Sequence, residues 1–202
     1  MILKSNYFYF KKALTDKFCD DVIKYGLEHK TKKATIRKIT NVSQGVTKKY
    51  RDSDIVFLDQ EWIYKEIQPY VRRANKEAEW NFEWSWTEPA QFTIYGPNQF
   101  YNWHIDASLP YDNPDNLNTH NKIRKLSVTI NLSNPKDYKG GNFEFDFREH
   151  QDITKCKPHR VKEINQRGSI IVFPSDRWHR VTPVTKGKRY SLVMWNLGYS
   201  FK

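Results

Sequence analysis

Residues 125–133 alternate strictly. Leu126, Val128, Ile130 and Leu132 share one parity, and Ser127, Thr129 and Asn131 share the other. Successive side chains of a strand point to opposite faces, so this run predicts a strand with one aliphatic face and one face of small polar groups. Such a strand suits a sheet with helices outside and a polar cavity inside. "QFTIY" (91–95), "GGNFEFDF" (140–147), "GSIIVFP" (168–174) and "RYSLVMWNL" (189–197) read as further short strands. They are rich in β-branched and aromatic residues and are bounded by Gly, Pro, Asn or Asp.

Before about residue 83 the period changes. Thr15 can cap a helix on which Phe18, Val22, Ile23 and Leu27 recur at near-helical spacing. Asp59 can cap a second, with Trp62, Ile63, Ile67, Tyr70, Val71, Ala74 and Ala78 on one stripe. Pro69 falls inside that stripe and predicts a kink or two abutting helices. Residues 30–54 are basic and poorly periodic and predict an irregular connection. Helices followed by a run of strands predict an α+β fold, one domain over 1–202, with 1–82 a mainly helical support and 83–202 a sandwich or open barrel.

Residues 107–122 break the strand pattern with Asn, Asp and Pro. A loop of this length inside a compact domain is usually functional. It begins directly after Asp106.

Composition alters this picture in two ways. Aromatics make up 15% of the chain, so rings supply much of the core. The net charge of +11 is spread over many segments rather than gathered in an arginine-rich tail, and a solvated basic surface accounts for it better than a nucleic-acid groove. No apolar run approaches the ~20 residues of a membrane span. Cys19 and Cys156 are the two cysteines. They imply no disulfide framework and fit a reducing cytoplasm.

Candidate chemistry centres on His104 and Asp106, two apart and so on one face of a strand or its edge. His179, 75 residues on, supplies a second imidazole. Two imidazoles and a carboxylate make the facial triad suited to non-haem Fe(II), with three positions left open. Arg189 and Ser191 share a strand face ten and twelve residues after His179. A guanidinium fork beside a hydroxyl suits a buried carboxylate.

Together, His104-x-Asp106, His179 and Arg189-x-Ser191 resemble the Fe(II)/2-oxoglutarate oxygenases. Tyr95, Asn98, Gln99, Tyr101, His104 and Asp106 follow the spacing Tyr-x-x-Gly-Gln-x-Tyr-x-x-His-x-Asp of their prolyl-hydroxylase branch, with Asn98 in place of the Gly. Asn tolerates positive φ, so the turn can survive. "GGNF" at 140–143 and the stretch from Gly168 to Trp195 resemble later parts of the same pattern. The likeness covers about residues 90–197. Arg189 in place of the Lys of the collagen-type branch leans toward the oxygen-sensing, bacterial and viral members.

The resemblance implies a double-stranded β-helix with N-terminal helices packed on the major sheet. It implies Fe(II) on His104, Asp106 and His179, with 2-oxoglutarate and O₂ as cosubstrates and ascorbate as an accessory reductant. Arg189, Ser191, Tyr95 and Ser127 would hold the cosubstrate, while Tyr101, Asn131 and Trp195 would line the substrate pocket. Trp103 and Trp178 read as core. His29, His120, His150 and His159 read as surface, with a substrate contact open for His120. The implied reaction couples decarboxylation of 2-oxoglutarate to succinate and CO₂ with hydroxylation of an unactivated C–H bond. The presence of Asp106 favours hydroxylation over halogenation.

A prolyl residue of a protein or peptide leads as substrate, with residues 107–122 as a clamp. A free amino acid or other small molecule is the alternative. Nucleic-acid demethylation is disfavoured, because the demethylase branch carries a second Arg six residues after the first and position 195 is Trp. A non-enzymatic jelly-roll binding module is the reading from another class, and the intact triad argues against it.

Overall fold

A computed structural model describes residues 3–35, 48–107, 109–147 and 157–200. In chain order the elements begin with β1 (Phe8–Phe10), α1 (Asp16–Leu27), β2 (Lys32–Lys33), β3 (Arg51–Asp52), β4 (Asp54–Leu58) and α2 (Glu61–Glu77). Next come β5 (Trp86–Thr87), β6 (Ala90–Tyr95), β7 (Phe100–His104), β8 (Lys122–Asn131), β9 (Tyr138–Gly140) and β10 (Phe143–Asp146). The chain closes with β11 (His159–Arg160), a 3₁₀ turn Lys162–Asn165, β12 (Ile170–Pro174), β13 (Trp178–Val181), β14 (Val184–Gly187) and β15 (Arg189–Tyr199).

From β6 onward the chain passes repeatedly between two antiparallel sheets. The larger runs β1-β12-β8-β15-β6-β4-β2, with β5 also pairing β15, and the smaller runs β11-β10-β13-β7-β3. β9 and β14 pair separately. This alternation makes the double-stranded β-helix that the resemblance implies.

The larger sheet divides two environments by parity. Leu126, Val128 and Ile130 of β8, Phe92 of β6 and Leu192 and Met194 of β15 join the helices in one core. α2 adds Ile63, Ile67, Val71 and Ala74, all fully buried. The alternate residues Gln91, Thr93, Ser127, Thr129 and Ser191 are also buried. They form a polar inner wall facing the smaller sheet. A second core, with Phe143, Phe145, Ile171 and Phe173, closes one end of the space between the sheets.

Thr15 caps α1 as expected, its Oγ1 accepting from Phe18 N at 3.1 Å. The second cap differs. α2 starts after Gln60, which makes no side-chain cap bond, so Asp59 does not cap it. α2 also runs through Pro69 as a single helix. Pro69 is exposed, so the carbonyl it leaves without a donor, that of Lys65, can be met by water. The N-terminal region is less helical than expected. β1 to β4 lie within it, and β3 and β4 occupy positions read as connection or helix; of that connection, residues 36–47 lie outside the described part. β4 is held by β6 across five residue pairs, from Asp54 opposite Ile94 to Leu58 opposite Ala90, so tertiary pairing overrides a weak local pattern.

Candidate metal centre

β7 and β13 are antiparallel neighbours, with His179 directly opposite His104. The two imidazoles therefore stand side by side, ring centroids 4.1 Å apart. Asp106 lies just past the end of β7, and its amide and that of Ala107 both donate to the Ser175 carbonyl, at 2.9 and 2.8 Å. This brings its Oδ1 to 3.8 Å from His104 Nε2 and its Oδ2 to 3.5 Å from His179 Nε2. One ligand atom from each of the three residues falls within 4.8 Å of the others.

The imidazoles are oriented by the backbone. His104 Nδ1 lies 2.7 Å from the Asn102 carbonyl and His179 Nδ1 lies 2.9 Å from the Arg177 carbonyl. A carbonyl only accepts, so each Nδ1 carries a proton and each Nε2, the nitrogen facing Asp106, is the atom placed to serve as a ligand. Burial, followed by the neighbouring His179, holds His104 well below its ordinary pKa. Burial alone would raise Asp106, but His179, His104, Arg124 and the Ser127 hydroxyl hold it at about 2. A neutral His104 beside an ionised Asp106 is the state in which these two groups can ligate a divalent metal.

Arg189 opens β15 opposite Tyr95 of β6. Its side chain is 2% exposed, and its Nη1 has no hydrogen-bond partner. A buried guanidinium nitrogen left unpaired is costly, and an incoming carboxylate would satisfy it. Gly141 makes room for it: φ is +58°, and a Cβ there would stand 2.9 Å from Arg189 Cδ. Asn98 adopts φ +65°, so the turn before β7 survives without its glycine.

Ser191 and Tyr95 border the same buried space, Ser191 opposite Asn131 and Thr93. Ser127, expected beside the cosubstrate, gives its hydroxyl to Asp106 Oδ2 at 2.7 Å. Asn131 is buried, but its amide donates to the Ser133 and Asn165 carbonyls and holds a turn. Tyr101 stacks on His104 at 3.4 Å between centroids. Trp195 stands across from Ser127, with the Arg124 guanidinium 3.7 Å above its ring. Trp103 and Trp178 are half-buried and belong to neither core, unlike the expectation. Arg180 covers Trp103 at 4.4 Å. His29 and His159 are exposed, and His120 is half-buried in the loop after Asp106; His150 lies outside the described residues.

Two groups near the centre escaped the sequence reading. Arg51 is 6% exposed and sits 4.3 Å over Tyr101, with Nε donating to Ser53 and Nη2 unpaired. Arg124 forms a two-pronged bond with Glu88, which also accepts from Tyr111 at 2.7 Å. Tyr111 belongs to the loop after Asp106. The loop is closed on itself by bonds from Tyr111 N to the Lys122 carbonyl and from Asn121 N to the Tyr111 carbonyl.

Comparison with known proteins agrees with this geometry. The model of the 2OG-Fe(II) oxygenase superfamily matches residues 90–196, over half of the chain. A PKHD-type hydroxylase of Alteromonas mediterranea is 32% identical over 109 residues, 53% of this chain and 42% of that protein. Another, from Pseudoalteromonas atlantica, is 35% identical over 109 residues with the same shares. The chain thus matches less than half the length of these curated relatives. Among solved structures, a viral collagen prolyl hydroxylase from Paramecium Bursaria Chlorella virus-1, in its 2OG complex, superposes with a TM-score of 0.65 at 19% identity, covering 96% of this chain and 97% of that one. A Trichoplax adhaerens prolyl hydroxylase bound to a hypoxia inducible factor peptide gives 0.63 at 15% identity, covering 95% and 83%. These structural likenesses show the fold.

Proposed function

The chain belongs to the 2OG-Fe(II) oxygenase superfamily, and on that premise we propose that it is an Fe(II)- and 2-oxoglutarate-dependent dioxygenase hydroxylating a prolyl residue of a protein or peptide. One observation carries the reading: a single barrel interior holds both the three converging ligand atoms and the buried Arg189 nitrogen without a partner. The PKHD-type relatives and the prolyl hydroxylase neighbours support the choice of substrate.

In this reading His104, Asp106 and His179 hold Fe(II), which with 2-oxoglutarate and O₂ supplies the oxidising chemistry. The chain's own residues supply geometry. Arg189 pairs with the distal carboxylate of the cosubstrate, Ser191 adds a hydroxyl, and the Tyr95 ring walls the pocket. Tyr101 packs against His104 and keeps its ring from turning. The two backbone carbonyls at Asn102 and Arg177 hold the Nδ1 side of each ring, so that each Nε2 is the nitrogen turned toward the metal position. Trp195 and Tyr101 border the substrate side, and the loop 109–122 forms one wall of a peptide groove. Ascorbate is an accessory reductant in this scheme. Two cysteines in 202 residues fit a reducing compartment, and we place the protein in the cytoplasm. No helix among the described residues is long and apolar enough to cross a membrane.

The test measures Fe(II)-dependent conversion of 2-oxoglutarate to succinate and searches for +16 Da on prolyl peptides by mass spectrometry. Ala at position 104, 106 or 179 is expected to abolish both. A product mass gain confined to free amino acids would move the assignment to the small-molecule alternative. Fe(II) binding without turnover of any substrate would favour a binding module.

A further inference from the structure

We propose that Ser127 is a positioning residue for Asp106, and that with Ser175 behind it Ser127 decides which carboxylate oxygen remains for the metal. The inference rests on His104, Asp106 and His179 being the metal ligands.

Ser127 Oγ lies 2.7 Å from Asp106 Oδ2 and 2.8 Å from Ser175 Oγ. A hydroxyl carries one proton, and an ionised carboxylate can only accept. The Ser127 proton therefore belongs to Asp106, and Ser175 must donate to Ser127. The result is a one-way chain, Ser175 to Ser127 to Asp106, in which each bond polarises the next. Both serines are sealed from solvent, 0% and 1% exposed, so water does not compete for these bonds.

Ser175 is itself fixed from three sides. Its carbonyl accepts from the amides of Asp106 and Ala107, and its amide donates to the Lys125 carbonyl of β8. It sits in the turn between β12 and β13, four residues before His179. The same residue thus ties the Asp106 segment, the wall strand β8 and the approach to the second imidazole.

The chemical consequence concerns rotation of the carboxylate. Oδ1 is nearer His104 and Oδ2 nearer His179, at the similar distances of 3.8 and 3.5 Å. With both oxygens free, the group could turn about its last bond or chelate through both oxygens and occupy an extra position. A facial triad works by leaving three positions open. The Ser127 hydroxyl holds Oδ2 back and keeps the carboxylate at one angle. Among the described residues no other hydroxyl or amide side chain donates to Asp106.

The test uses the full chain with Ser127→Ala, Ser127→Thr and Ser175→Ala. Mn(II) affinity is measured by calorimetry, and the visible spectrum of the Co(II) protein reports coordination number. Removing a group that orients a metal ligand typically loosens the metal by ~10–100-fold. Ser127→Ala is expected to fall in that range and to change the Co(II) band intensities, with Ser127→Thr restoring both. Ser175→Ala is expected to loosen Mn(II) by a smaller factor, and it carries the test if Ser127→Ala does not fold. Wild-type affinity and an unchanged Co(II) spectrum in Ser127→Ala would overturn the proposal, as would equal losses in Ser127→Ala and Ser127→Thr. Failure of the wild-type protein to bind Mn(II) at all would instead remove the metal-site reading beneath it.

Discussion

At the residue scale, buried charge dominates. Arg189 has much to gain from a carboxylate ligand, since its Nη1 is buried without a partner. Losing one partner of a buried, hydrogen-bonded charge pair costs about 2–5 kcal/mol. Arg189→Ala is therefore expected to weaken 2-oxoglutarate by at least ~30-fold while leaving Mn(II) affinity within a few-fold of wild type. Calorimetric titration of cosubstrate into the Mn(II)-loaded protein checks this, and an unchanged affinity would place the distal carboxylate elsewhere. His104 gives a second prediction, for the metal-free chain. Its folded pKa is depressed by burial first and by His179 second. The unfolded chain takes up a proton near pH 6.5 and the folded one does not, so stability falls as pH drops below that value. Between pH 6.5 and 5.5 the loss should be about 1 kcal/mol, by urea unfolding. His104→Asn should flatten that part of the profile. The triad and Arg189 were legible because spacing along strands carries their geometry. Arg51 was not, because a two-residue strand has no period and its pairing with Tyr101 spans fifty positions.

At the scale of elements, α1 shows how a helix is fitted to a sheet. Gly26 lies in its last turn, and a Cβ there would stand 2.5 Å from the Phe92 ring of β6. Gly→Ala normally favours a helix by up to ~1 kcal/mol. Here overpacking should win, and Gly26→Ala is expected to destabilise by about 1–3 kcal/mol in chemical denaturation. The contact also explains why the sequence pattern located α1 but not its seating: amphipathic spacing identifies an inner face and says nothing about which ring it meets. The loop 109–122 makes a second case. Its Tyr111 is bonded to Glu88, which holds Arg124 against Trp195, so the loop is coupled to the inner wall. Loops beside an active site commonly close over substrate. With Mn(II) and 2-oxoglutarate present, a proline-rich peptide is expected to protect this loop from limited proteolysis. Equal cleavage with and without peptide would remove it as a clamp. The polar, aperiodic sequence suggested such a segment, but the Tyr111–Glu88 link is a side-chain contact 23 positions apart and left no local sign.

On the scale of the whole molecule, the two imidazoles proposed as metal ligands and the proposed cosubstrate anchor come from different sheets. His104 and His179 belong to the smaller sheet and Arg189 to the larger. Bound metal and cosubstrate should therefore stabilise the sandwich as a unit. At a ligand concentration a hundredfold above Kd the gain is about 2.7 kcal/mol, which for a chain of this size corresponds to a rise of ~5–10 °C in Tm. Scanning calorimetry with Mn(II) plus 2-oxoglutarate should show it in the wild type and not in Asp106→Ala. The overall architecture was readable from the change of period near residue 83 and from the strict parity of β8. The strands of the N-terminal third were not, because β3 and β4 depend on partners in β7 and β6.

That parity in β8 bears on where the interior can change. Leu126, Val128 and Ile130 serve the helix-side core, while Ser127, Thr129 and Asn131 face the barrel interior. A single backbone thus carries two sets of side chains with separate duties, one packed against the helices and one lining the interior. Of the interior three, Ser127 is tied to Asp106 and Asn131 to the Ser133–Asn165 turn, so Thr129 is the position at which the cavity can be reshaped while the helix-side layer stays untouched. A change confined to that one position alters the lining without asking the hydrophobic layer behind it to repack.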